Sequence, residues 1–419
     1  MNKYVVKCPE CGQVRDPYAL HCPNDDALLR TEYSKKQIEP TDMPGIWRYY
    51  DWLPVNGIIE EGSGRPVTYK SEGFAKELGV KDLNITFNGY WPEKEAFIRT
   101  CSFKDLESFP TMQRLIENNE DRIMVVASAG NTARAFAHVA SITGQKLLLI
   151  VPKNSTHRVW TTNDETSSIC TVTVDGDYYQ AIVMAEKIAS RDEFVSEGGA
   201  RNIARRDGMG TVMLDAVLTT GSLPQHYFQA VGSGTGGISA WEASMRLLED
   251  GRFGNNMPRL HLAQNLPCAP LYSLWTGIEL TGCCPEEMHD DVLYNRKPPY
   301  SASGGVKDAL DDTNGMIYGI TNKEAEAAQK LFEESEGIDI LPAPAVACAA
   351  LIRAVDAGEV KPDEQIVLNI TGGGLKRLQE ALSTKQLGVD LTVSQTDPDA
   401  EKKILEKVSE LFSKGGYLK

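Results

Sequence analysis

Residues 227–248 constrain the fold more than any other stretch of the chain. An apolar run at 227–231 leads directly into a glycine-rich turn, and a helical pattern then continues to Leu248. A strand that passes through glycines into a helix is typical of parallel α/β sheets, where backbone amides and the helix N-terminus can hold an anion. The turn matches neither a Walker A loop nor the dinucleotide fingerprint. We predict a phosphate cradle, with a purely structural turn as the alternative, at Gly232, Ser233, Gly234, Thr235, Gly236 and Gly237.

Two other apolar runs end in the same manner. Residues 123–127 end at Ser128-Ala-Gly-Asn131, and an alanine-rich helical stretch follows. Residues 366–370 end at Thr371 and three glycines. Such alternation of strands and helices predicts an α/β fold with parallel sheets, whose turns at the carboxyl ends of the strands are the usual place for a ligand.

These three turns make Lys104 a candidate functional residue. It follows Phe103 in a segment that we expect to enter the core, although a surface cation is the default for any of the 43 Lys and Arg residues. Burial lowers the pKa of a lysine and makes its amine a nucleophile and proton carrier. The combination predicts a pyridoxal 5'-phosphate (PLP) site, in which Lys104 binds the cofactor covalently and the glycine loop holds its phosphate.

The remaining two turns complete the predicted PLP site. Asn131 would contact the face of the ring, and the hydroxyl of Thr371 would meet the ring nitrogen. A neutral hydroxyl leaves that nitrogen largely unprotonated, which favours β-elimination and β-replacement over racemisation. The alternative for Thr371 is a helix or turn cap.

The first 30 residues stand apart from this pattern. Cys8, Cys11 and Cys22 lie in short Cys-Pro knuckles of the kind that bind zinc. Zinc favours four ligands, and either His21 or Asp25 could be the fourth. A ribbon that folds without metal is the other alternative.

Composition restricts the class of protein. A chain of 419 residues is long enough for two or three domains. The formal net charge of −15 argues against nucleic acid and anionic membranes as partners. We find neither a signal-like N-terminus nor an apolar run of roughly 20 residues, so a cytoplasmic location is expected. Nine cysteines, an odd number, favour free thiols and a metal site over disulfides.

The four motifs together resemble the threonine synthase branch of the fold-type II PLP enzymes. They are Ser102-Phe-Lys-Asp105, Ser128-Ala-Gly-Asn-Thr-Ala133, the loop at 232–237 and Thr371-Gly372, within a resemblance that covers about residues 1–380. The resemblance implies two parallel-sheet α/β domains of the tryptophan synthase β-like kind and a homo-oligomer. The expected divisions are a Cys-knuckle segment at 1–30, a large PLP-binding domain at 31–111 and 206–419, and a small domain at 112–205.

The sequence also departs from threonine synthases. Leu106 and Glu107 replace the usual Arg-Gly after the Lys-Asp pair, Arg134 replaces a small residue, and residues 283–314 form a polar insertion. These departures resemble the cysteate synthase family, which makes L-cysteate from O-phospho-L-serine and sulfite for coenzyme M. That resemblance implies β-replacement, in which Lys104 removes the α-proton, phosphate leaves, and sulfite adds to the β-carbon.

Anionic substrates require cations besides the phosphate loop. Arg134, one helical turn beyond Asn131, is our first choice for the substrate phosphate, and Arg296 in the insertion is another. Ser128 and Thr132 flank Asn131 and are further predicted substrate contacts. Three alternatives remain open: a threonine synthase acting on O-phosphohomoserine, a β-eliminating deaminase, and an inactive PLP-fold binding module, against which the presence of Lys104 argues.

Overall fold

The computed structural model describes residues 2–282, 284–296, 298 and 300–413. Two sheets of mostly parallel strands, with helices packed on them, form most of the molecule, and a small antiparallel sheet lies at the N-terminus. The predicted α/β class is therefore confirmed. Across the described ranges, every helix is too short or too polar to span a bilayer.

The strands are given in chain order. They are β1 (Tyr4–Lys7), β2 (Val14–Arg15), β3 (Arg30–Tyr33), β4 (Val67–Lys70), β5 (Leu83–Phe87), β6 (Tyr90–Trp91), β7 (Ala96–Phe97), β8 (Ile123–Ala127), β9 (Leu147–Pro152), β10 (Trp160–Thr161), β11 (Ile169–Asp175), β12 (Phe194–Ser196), β13 (His226–Ala230), β14 (Arg259–Asn265), β15 (Met316–Ile320), β16 (Ile366–Ile370), β17 (Lys385–Gln386) and β18 (Leu391–Ser394).

The helices follow the same convention. The α-helices are α1 (Gly73–Leu78), α2 (Lys104–Glu117), α3 (Asn131–Thr143), α4 (Tyr178–Ala189), α5 (Ile203–Thr220), α6 (Thr235–Asp250), α7 (Pro270–Thr276), α8 (Val306–Asp312), α9 (Asn322–Glu336), α10 (Pro342–Asp356), α11 (Leu375–Ala381) and α12 (Ala400–Ser413). Short 3-10 helices cover Gly45–Trp52, Pro92–Lys94, Lys153–Arg158, Gly199–Arg201, Pro285–Glu287 and Asp291–Leu293.

The larger sheet has the strand order β15-β14-β13-β16-β5-β4. Its strands are parallel except β4, which runs antiparallel to β5 at the edge. Every residue of β13 and β16 is buried, because helices cover both faces of a parallel sheet. Since β13 and β16 are parallel neighbours, the glycine loop and Thr371 leave the sheet at the same edge.

The smaller sheet has the order β12-β8-β9-β11-β18 and is parallel throughout. Its edge strand β18 corrects one predicted boundary. We expected all of 206–419 in the large domain, but β18 pairs with β11, and α12 packs Ile404, Val408 and Phe412 into the apolar cluster of this sheet. The C-terminal segment covers what would otherwise be an open, apolar sheet edge.

The N-terminal sheet has the order β2-β1-β3. It extends past the predicted end at residue 30, because β3 pairs with β1 up to Tyr33. Val6, Leu29 and Tyr33 are buried in the same apolar cluster as α5 and α6, so this segment packs on the large sheet's helices. The Tyr33 hydroxyl donates to Asp207 of α5 at 2.6 Å.

Backbone pairing joins the Lys104 segment to the chain that follows β16. The Phe103 amide donates to the Thr371 carbonyl at 3.0 Å, and the Gly373 amide donates to the Cys101 carbonyl at 3.1 Å. Between them, Ser102 and Gly372 form an isolated antiparallel bridge. α2 begins at the next residue, Lys104, so these hydrogen bonds fix the backbone of Lys104 relative to Thr371.

We predict that Gly372→Ala destabilises this junction. A Cβ there would lie 2.6 Å from the Cys101 carbonyl oxygen and 2.7 Å from Leu341 Cδ1, and overpacking against backbone costs about 1 to 3 kcal/mol. Urea unfolding should show that loss of unfolding free energy. Gly388→Ala is the control, because a Cβ at Gly388 meets no atom within 4 Å. Equal stability of the two variants would contradict the prediction.

Candidate active site

A cleft lies where the carboxyl ends of the two sheets meet. β13 and β16 contribute their following turns from one side, and β8 contributes its turn from the other. Ten of the predicted residues line this cleft, namely Lys104, Ser128, Asn131, Thr132, Gly232, Ser233, Gly234, Thr235, Gly236 and Thr371. The four motifs of the sequence are therefore brought together in space.

Lys104 is held as the sequence predicts for a buried amine. Its side chain is 22% exposed, and its Nζ lies 3.3 Å from Glu107 Oε2 and 4.0 Å from the sulfur of Met209. Burial lowers the pKa of Lys104, and the neighbouring Glu107 carboxylate opposes that shift. A lysine with a lowered pKa is neutral more often at neutral pH and is a better nucleophile and base.

The glycine loop follows β13 and opens α6. Gly234 has φ of +86°, and a Cβ there would lie 2.2 Å from Val306 Cγ2. At Gly236 a Cβ would lie 1.9 Å from Gln229 Nε2, so neither position has room for a side chain. The loop ends at the N-terminus of a 16-residue helix, where free amides and the helix dipole favour an anion. These features fit a cofactor phosphate.

The turn after β8 approaches from the smaller sheet. Asn131 is the first residue of α3, and its Oδ1 accepts a hydrogen bond from Arg134 Nη2 at 2.8 Å. Ser128 Oγ accepts from the Gly130 amide at 3.0 Å. The Thr132 hydroxyl donates to Glu107 Oε1 at 3.1 Å, which links this turn to α2.

Three predicted residues do not line the cleft. The Arg134 guanidinium is buried and uses all three nitrogens on the Thr100 and Arg158 carbonyls and on Asn131. Arg296 is 40% exposed and pairs with Asp177 at 2.9 Å. Gly237 lies within α6, where a Cβ would lie 2.8 Å from Leu262 Cδ1. The geometry gives Arg134 the task of orienting Asn131 rather than of meeting a substrate.

Sequence reasoning missed a cation that lines this cleft and the buried carboxylate that pairs with it. Arg205 lines the cleft, and its Nη2 lies 2.8 Å from Glu107 Oε1, while its Nη1 pairs with Glu197. Its Nε is buried without a hydrogen-bond partner. α5 begins at Ile203 and so carries Arg205 into the core. The two adjacent arginines, Arg205 and Arg206, were the available signal in the sequence.

The N-terminal cysteines form a compact cluster. Within the described residues, ligand atoms of Cys8, Cys11, Cys22 and Asp25 all lie within 4.8 Å of one another. The sequence left two candidates for the fourth ligand, His21 and Asp25. Asp25 belongs to this cluster, and its Oδ1 lies 3.3 Å from Cys8 Sγ. Arg15 Nη2 also lies 2.9 Å from Cys22 Sγ, so a guanidinium shares the cluster with the thiols.

Comparison with known proteins places the chain in a family. Residues 60–372 match the model of the family described as "Pyridoxal-phosphate dependent enzyme". The chain therefore belongs to the pyridoxal-phosphate-dependent enzymes. A solved structure of maize serine racemase has a TM-score of 0.58 and 15% identity, covering 75% of this chain and 91% of that one, and so shows a shared fold.

Curated relatives narrow the family further. Cysteate synthase of Methanococcoides burtonii is 82% identical over 417 residues, covering 100% of both chains. Cysteate synthase of Methanothrix thermoacetophila is 54% identical over 420 residues, covering 99% of this chain and 100% of its own. Within the PLP-dependent enzymes, the chain belongs to the cysteate synthases.

We predict that Gly234→Ala weakens retention of PLP. The new Cβ would collide with Val306 and distort the loop that we assign to the phosphate. Gly251→Ala at the other end of α6 is the matched control, because Gly251 has φ of +78° but no atom within 4 Å of a Cβ. Both variants carry the left-handed strain of about 1 to 2 kcal/mol. Cofactor absorbance after gel filtration should fall in G234A alone; equal retention in both would contradict the assignment.

Proposed function

We propose that this protein converts O-phospho-L-serine and sulfite into L-cysteate and phosphate, with PLP as its cofactor. Its similarity to proteins named cysteate synthase supports the reaction. The structural observation that carries the proposal is a second cationic side chain in the cleft. Arg205 lines the same cleft as Lys104 and is carried by α5, an element separate from the glycine loop that would hold the cofactor phosphate. A phosphorylated substrate needs such a second cation.

The residues that would hold the cofactor follow from the cleft. We assign the covalent bond to Lys104, the phosphate to the amides of residues 232–236, the ring face to Asn131 and the ring nitrogen to Thr371. When bound, PLP supplies the electron sink that makes the α-hydrogen of an amino acid acidic. A neutral Thr371 hydroxyl would leave the ring nitrogen largely unprotonated. The cofactor then withdraws electrons less strongly, which favours replacement at the β-carbon.

The chain's own groups then perform the proton and anion handling. Lys104 Nζ takes the proton from the α-carbon and later returns it, a task suited to its lowered pKa. Arg205 holds the substrate phosphate and stabilises the charge that grows on it as the Cβ–O bond breaks. Sulfite reaches the β-carbon at the place that the phosphate has left.

The insertion at 283–314 supplies part of the cleft wall. Leu293 and Asn295 line the cleft, and Leu293 belongs to an apolar cluster together with Phe228 of β13. An apolar side chain in the wall of the cleft helps to exclude water, which would compete with sulfite as the nucleophile. This is the role that we assign to the insertion.

A product assay tests the proposed reaction. Purified protein with PLP is given O-phosphoserine or O-phosphohomoserine, each with and without sulfite, and phosphate and amino acids are measured. We expect cysteate from phosphoserine with sulfite and from no other combination. Threonine from phosphohomoserine without cysteate would refute the proposal, as would pyruvate and ammonia as the main products from phosphoserine.

We also propose that zinc binds Cys8, Cys11, Cys22 and Asp25. Three thiols and a carboxylate form an acceptable zinc set, although Arg15 offers the thiols an alternative partner. Asp25→Cys should raise the zinc content of the purified protein by completing a four-thiolate site, and Cys22→Ser should lower it. Elemental analysis by mass spectrometry measures both. Zinc-free protein in the wild type and in Asp25→Cys would contradict the proposal.

The remaining features of the working enzyme are predictions from the sequence and, for the oligomeric state, from the family resemblance. We propose that it acts in the cytoplasm as a homo-oligomer on small anionic substrates. Size-exclusion chromatography with light scattering measures the oligomeric state.

A further inference from the structure

Glu107 is a buried carboxylate behind the two cations of the cleft. It lies on α2 one turn beyond Lys104, and its side chain is 0% exposed. Its carboxylate contacts Lys104 Nζ at 3.3 Å, Arg205 Nη2 at 2.8 Å and the Thr132 hydroxyl at 3.1 Å. A carboxylate this deeply buried is costly unless it is paired, so these contacts keep it in place.

The charges around Glu107 decide its ionisation. Although burial acts in the opposite direction, Arg205 and Lys104 hold the pKa of the Glu107 carboxyl below its usual range. Glu107 is therefore an anion in the folded protein. It offsets the positive charge of Arg205, which otherwise faces the cleft in surroundings where electrostatic attraction is strong.

In the proposed replacement, phosphate and then sulfite bind beside Arg205. The Cβ–O bond breaks and phosphate leaves with the electron pair, while sulfite supplies the pair for the new Cβ–S bond. The α-proton goes to Lys104 and returns, so no oxidant or reductant is needed. Phosphate must leave Arg205 before sulfite can take its place, and an Arg205 without a counter-charge would retain it.

We propose that Glu107 weakens the hold of Arg205 on inorganic phosphate and thereby allows phosphate to be exchanged for sulfite. This inference rests on the proposed function and explains why a carboxylate lies beside an anion site. Glu107 touches neither the cleft nor a substrate, so it is a positioning residue that acts through Arg205 and Lys104.

Glu107→Gln tests the proposal by removing one charge and little else. Glutamine has the same size and can still accept from the Thr132 hydroxyl. Calorimetric titration of the PLP-loaded variant with inorganic phosphate should show binding about tenfold tighter than in the wild type, equivalent to 1.4 kcal/mol. In the cysteate assay, the variant should show a lower KM for phosphoserine and a lower kcat, because phosphate leaves more slowly.

Glu242→Gln is the matched control, because Glu242 of α6 pairs with the next arginine of α5. Arg206 follows Arg205 on α5, and its Nε lies 3.0 Å from Glu242 Oε2, which is also buried. Glu242 lines a different cavity of about 310 Å³ beside the N-terminal segment. None of the predicted cofactor residues lines that cavity. This variant also removes a buried carboxylate that pairs with an arginine. Because that arginine lies outside the cleft, we expect the phosphate affinity to be unchanged.

Glu197→Gln provides a second test should Glu107→Gln fail to fold. Glu197 pairs with Nη1 of the same guanidinium and is more exposed than Glu107, so its loss should tighten phosphate binding by about threefold. Unchanged or weaker phosphate binding in Glu107→Gln, or in Glu197→Gln where only that variant folds, would overturn the proposal. So would equal tightening in Glu242→Gln.

The two kinds of failure are distinguishable. Phosphate titration needs no turnover, so it measures the effect of Glu107 even if the wild-type protein makes no cysteate. Cysteate formation by the wild type together with unchanged phosphate binding in Glu107→Gln would remove the inference and leave the proposed function intact.

Discussion

The active site depends on the short backbone pairing between residues 101–103 and 371–373. These hydrogen bonds fix the start of α2 to the end of β16, and with it the distance from Lys104 to Thr371. Side chains adjust their rotamers readily, whereas a paired backbone does not, so a reactive amine is best positioned in this way. Gly372 allows the close approach, since any side chain there would meet the Cys101 carbonyl.

Buried charge is the second constraint on the cleft. The whole chain carries a net charge of −15, yet its cleft is expected to bind a cofactor phosphate and anionic substrates. The structure provides a local array in which Glu107 and Glu197 flank Arg205, and Glu107 also contacts Lys104. Buried ion pairs contribute little to stability once desolvation is counted, so the array is better explained by function than by folding.

Local patterns account for the parts of the fold that the sequence predicts. The turns after β8, β13 and β16 were predictable because glycines and short polar residues mark the end of each apolar run, and chain direction then places them at sheet edges. Arg205 and Glu107 were not predictable as partners, since they meet only through the packing of α2 on α5. The strand β18 was missed for a similar reason: four alternating residues do not reveal which sheet they join. The sequence correctly placed Arg134 near Asn131. It could not show that the guanidinium donates its hydrogen bonds to backbone carbonyls and is therefore not available to a substrate.

Lys104 is the residue to which we assign the covalent bond with the cofactor. Borohydride reduction of the PLP-loaded protein makes the bond between the cofactor and its lysine permanent, and peptide mass spectrometry then locates it. We expect a single modified peptide with the label on Lys104. A label on any other lysine, or a reduced protein whose Lys104 peptide is unmodified, would contradict it.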